Sequence, residues 1–60
     1  MELTTFINYK NKAIGKFTNE INHGRYTVVD EQLVYETELK VGFDIYTKEK
    51  EEPFRVVIEK

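Results

Sequence analysis

Leu33-Val34-Tyr35-Glu36-Thr37-Glu38-Leu39-Lys40-Val41-Gly42-Phe43-Asp44-Ile45-Tyr46-Thr47 is the stretch on which the fold turns. Its odd positions (Leu33, Tyr35, Thr37, Leu39, Val41, Phe43, Ile45, Thr47) can all face a core. Between them lie Glu36, Glu38, Lys40 and Asp44, with Val34, Gly42 and Tyr46 as the exceptions. Side chains alternate across a strand with period two, so the pattern describes an antiparallel sheet with one buried and one wet face. Fifteen extended residues would reach about 50 Å, too far for one straight strand in so short a chain. The reading therefore predicts a turn or bulge at Lys40-Val41-Gly42, where glycine tolerates positive φ.

Working outward, Tyr26-Thr27-Val28-Val29 is rich in β-branched and aromatic types and reads as a strand, with Asp30-Glu31 as a tight connection after it. Lys48-Glu49-Lys50-Glu51-Glu52 reads as an exposed turn closed by Pro53. A last strand follows, with Phe54, Val56 and Ile58 alternating against Arg55, Val57 and Glu59.

The amino-terminal third follows a different period. Leu3, Phe6, Ile7, Ala13, Ile14, Phe17 and Ile21 fall in a stripe roughly 120° wide at helical spacing. Thr4, Thr5, Asn8, Asn11, Gly15, Thr18 and Asn19 are poor helix formers, and a hairpin turning at Lys10-Asn11 competes. Gly24, just past the last periodic apolar residue, supplies a left-handed helix terminator and favours the helix, ending near Asn22. His23 there reads as a capping or surface residue. The expected fold is α+β: one amino-terminal helix packed on a four-stranded antiparallel meander sheet, in a single domain over residues 1–60. The alternative is a small all-β barrel with an amino-terminal hairpin.

A chain of 60 residues buries only about 60% of the surface its unfolded form exposes, so its core is marginal. With no cysteine and one histidine, neither a disulfide nor a thiolate or histidine zinc site can reinforce it. That leaves a well-packed core rich in the four Phe and four Tyr, or a homodimer. Hydrophobic residues make up 40% of the chain, too many for intrinsic disorder. No apolar run approaches the roughly 20 residues needed to span a bilayer, and a cytoplasmic location is expected. Usage rich in Ile, Asn, Lys, Glu and Tyr resembles that of proteins from AT-rich bacterial genomes and their phages. This suggests a phage or mobile-element origin and carries no function.

The residue inventory argues against an enzyme. There is neither Cys nor Ser, and His23 has no identifiable orienting partner for general-base work. Gly15, Gly24 and Gly42 are too scattered for a phosphate loop. Glu36 and Glu38, with Asp44, could form a carboxylate row on the wet face, but an amphipathic strand requires polar residues there in any case. No cofactor and no metal are expected.

Three binding readings remain. Val34, Tyr46 and Val57 are apolar residues on the face of their charged neighbours and could form a patch for a protein partner, flanked by Glu36, Glu38 and Asp44. This reading leads: a small non-enzymatic interaction or regulatory module that uses a sheet face or an unpaired edge strand. Residues 1–29 carry a net +2, with Lys12, Lys16 and Arg25 available to contact nucleic acid, yet a pI near 5.3 is far below that of dedicated binders. Residues 30–60 carry −4 and could imitate a phosphate backbone as an inhibitor.

Overall fold

Despite its weak helix formers, the amino-terminal third is helical: α1 spans Leu3–Phe17. Tertiary packing of its apolar stripe overrides local propensity. Ala13 and Phe17 are fully buried, and Phe6, Tyr9 and Ile14 pack around them. The helix then widens into a π-type turn over Thr18–Asn22. The wider winding turns Asn22 inward, where its amide donates to the Tyr26 carbonyl at 3.0 Å and accepts from the Tyr26 N–H at 2.6 Å. His23 itself adopts the left-handed conformation at φ 48°, and Gly24 follows at φ 79°. The helix thus ends where the glycine signal placed it, but across two residues. The all-β alternative does not form.

The computed structural model describes all residues from Met1 to Lys60. After the helix come β1 (Val28–Glu36), β2 (Lys40–Thr47) and β3 (Phe54–Glu59), an antiparallel meander in the order β1-β2-β3. The class is α+β as expected, with three strands in place of four. One sequence reading accounts for the lower count, and a second is corrected in position. Asp30-Glu31 is no connection: both residues lie inside β1, paired with Tyr46 and Ile45. The long stretch does turn, but at Glu38-Leu39 rather than at Lys40-Val41-Gly42. The Thr37 N–H donates to the Lys40 carbonyl at 2.8 Å, and its hydroxyl accepts from the Leu39 and Lys40 N–H groups. A threonine side chain satisfying local backbone donors makes this turn without glycine.

Gly42 lies instead within β2. An added Cβ there would fall on the Tyr35 ring, 2.8 Å from its Cδ1, so the glycine makes room for an aromatic cover across the strand pair. The register of β1 shifts between Val28 and Asp30 and between Leu33 and Tyr35. The second shift reverses the parity at the end of the strand, moving Tyr35 off the core face, where the alternation had placed it.

The core lies between α1 and the inner face of the sheet: Ala13, Phe17, Val41, Phe43, Ile45, Val56 and Ile58. Phe6 meets Phe43, and Phe17 meets Phe54, with ring centroids 6.1 and 5.1 Å apart. The helix packs chiefly on β2 and β3, and of β1 only Val28 packs against the core. No helix is long and apolar enough to cross a membrane.

Candidate partner-binding surfaces

Two surfaces remain uncovered: the outer face of the sheet and the flank along β1. Residues directly paired in an antiparallel ladder share a face, so the register assigns each side chain. The outer face holds Asp30, Gln32, Tyr35, Asp44, Tyr46, Arg55 and Val57. Val34 is the extra residue at the bulge and is exposed. The register therefore keeps Tyr46, Val57 and Asp44 on one face, because β2 runs unbroken through Gly42, but Val57 lies beside Gly42 and Tyr46 beside Asp30, too far apart along β2 to adjoin. Tyr35 joins them unexpectedly.

This face is largely occupied by its own contacts. Arg55 Nε donates to Asp44 Oδ1, and the Arg55 guanidinium carbon stands 5.9 Å from the Tyr35 ring centroid. The Asp44 carboxylate holds the proton on Arg55 more firmly than usual. The row of Glu36, Glu38 and Asp44 that strict alternation would allow does not form. Glu36 pairs with Val41 on the opposite parity and accepts from Lys60 Nζ at 2.7 Å, which lowers its pKa. Glu38 sits in the β1–β2 turn.

The three cations weighed for nucleic acid are each engaged within the chain. Lys16 Nζ donates to the Val57 carbonyl at 2.9 Å, and Lys12 stands over the Tyr9 ring at 5.6 Å. Arg25 donates to the Ile21 and Asn22 carbonyls at the end of the helical segment. No group of three His, Asp or Glu side chains could hold a metal ion, and the shallow pocket at Lys50-Glu51-Glu52 is lined by no hydrophobic residue.

Sequence reasoning named an unpaired edge strand but not the exposed apolar residues on the flank along β1. Lys16 reaches β3, so the opposite side of α1, at 100° per residue, lies toward β1. That side carries Leu3 and Ile7, which are 73% and 42% exposed. On the sheet, Leu33 pairs with core Phe43 and so faces inward, yet it is 40% exposed because no helix lies over it. Leu39 in the adjoining turn is exposed as well.

Compared with protein-family models, curated proteins and solved structures, the chain matches none.

Proposed function

We propose that the protein is a small non-enzymatic interaction module of the cytoplasm that binds another protein along the open flank of β1. One observation carries this reading. The helix stops short of β1, leaving a nine-residue strand with an unpaired edge on the flank where Leu3, Ile7 and Leu33 expose apolar side chains. Unpaired strand edges take up partners through main-chain hydrogen bonds, and contiguous exposed apolar side chains mark partner surfaces. The outer face, where Tyr46 and Val57 lie, is the weaker candidate because Tyr35, Arg55 and Asp44 already pack over much of it.

The test compares the full chain with Leu33→Lys, Ile7→Lys and Tyr46→Lys variants as bait, alongside solution mass by light scattering. A protein held by the native chain and by Tyr46→Lys, but released by Leu33→Lys and Ile7→Lys, supports the flank. Loss with Tyr46→Lys alone moves the contact to the outer face. A strict monomer that retains nothing defeats the reading.

A further inference from the structure

We infer that the partner is an extended basic segment, added as a fourth strand on the open edge of β1, with an apolar residue over Leu33 and cations within reach of Asp30 and Glu31. This rests on the module reading above and adds the chemistry of the occupant.

The charge on the edge is uncompensated. The chain has two ion pairs, Arg55 with Asp44 and Lys60 with Glu36. Asp30 is held only by the Gln32 amide at 2.9 Å, and neither Glu31 nor Glu38 has a cation beside it. Asp30 faces the outer side, opposite Tyr46, and Glu31 the helix side, opposite Ile45. An added strand therefore meets a carboxylate on both of its faces. Lys10, on α1, stands over the Phe6 ring at 5.9 Å and pairs with no carboxylate.

The geometry limits the docking length. The two register shifts bound a regular run from Asp30 to Leu33, so pairing centres there. On the helix side that run offers Leu33, 40% exposed, on the flank to which α1 turns Leu3 and Ile7, which calls for one apolar side chain. A second copy of the chain is the poorer fit, because β1 against itself brings two more unpaired carboxylates toward Asp30 and Glu31. Like charges across a strand pair are destabilising, and inward-pointing charge is a known guard against self-pairing.

The probes are two short peptides, one alternating Lys with Val and the other Glu with Val, titrated into the isotope-labelled full chain and followed by amide NMR. The Lys peptide is expected to shift the amides of Glu31, Leu33 and Val34. It should bind about tenfold tighter than the Glu peptide, the scale of two cross-strand charge pairs switching from attraction to repulsion. The preference should invert in the doubly substituted Asp30→Lys, Glu31→Lys chain, whose dispersed spectrum reports an intact fold. Equal binding of both peptides at β1 removes the basic occupant and leaves the module reading standing. Shifts confined to Tyr46 and Val57, or none with either peptide, overturn the proposal. So does a dimer that protects the β1 amides, since a second copy then holds the edge.

Discussion

The two outer strands of one small sheet are treated in opposite ways. β3 lies under α1, buries Val56 and Ile58, and has Lys16 capping the outward Val57 carbonyl. β1 has no helix above it, two bulges, and two carboxylates, Asp30 and Glu31, with no cation. The cause is dimensional. A helix with its side chains is about 10 Å across and strands are spaced about 4.8 Å, so one helix shelters two strands and leaves the third at the margin. Stability therefore concentrates under α1, and the surface free for recognition lies beside it.

Truncation on the two sides tests this division most sharply. Phe17 is 0% exposed and packs on Phe54, so Phe17→Ala should cost about 3–5 kcal/mol. A chain of this length has roughly 3–9 kcal/mol in total, so that variant should be largely unfolded by circular dichroism. Leu33→Ala, at a site with 40% exposure, should cost under about 1 kcal/mol in the same denaturation experiment. Equal losses would mean that β1 belongs to the core after all.

The hold on β1 is tested next. Its inner side makes little contact with α1, and Tyr35 lies across Gly42 on the outer face. Gly42→Ala forces that half-exposed ring aside and should cost about 1–2 kcal/mol, the lower part of the range for overpacking. In a Tyr35→Ala background the same substitution should become neutral or mildly stabilising, since a strand interior prefers alanine to glycine. A cost that persists without the ring would show that backbone geometry, not the aromatic cover, requires glycine at this position.

How far the sequence could be read follows the same division. Val41, Phe43, Ile45, Val56 and Ile58 were legible because buried strands write an unbroken period of two, and Ala13 with Phe17 because the helical stripe centres on them. Tyr35 and Glu36 exchanged faces because a bulge inserts one residue without a compositional mark. The turn at Glu38-Leu39 was hidden for a related reason: Thr37 does with a hydroxyl what glycine was expected to do at Gly42. Of the candidate surface, Tyr46, Val57 and Asp44 were placed on one face by parity alone. Leu3, Ile7 and Leu33 were read as core, since an apolar stripe does not reveal how many strands lie beneath it.

Both ends of β1 are held by carboxylates, which gives the two sides of the molecule different responses to acid. Glu36 accepts from Lys60 at the far end. Glu49 accepts from the Thr27 N–H at 2.7 Å just before the strand begins. These hydrogen bonds pull both carboxyls below their ordinary 4.5, chiefly through Lys60 for Glu36 and the Thr27 backbone for Glu49. A group depressed on folding contributes stability that is complete above its unfolded value and disappears as pH falls through its folded value. Acidification should therefore loosen β1 first, with its amide signals broadening before those of β2 and β3. Replacing both carboxylates by Glu36→Gln and Glu49→Gln should lower the melting midpoint slightly at neutral pH, since both sites are exposed. It should also flatten the decline below about pH 5. If the native chain and the double variant share one acid limb, the two carboxylates do not anchor the strand, and its hold rests on the β2 ladder and the Tyr35 ring.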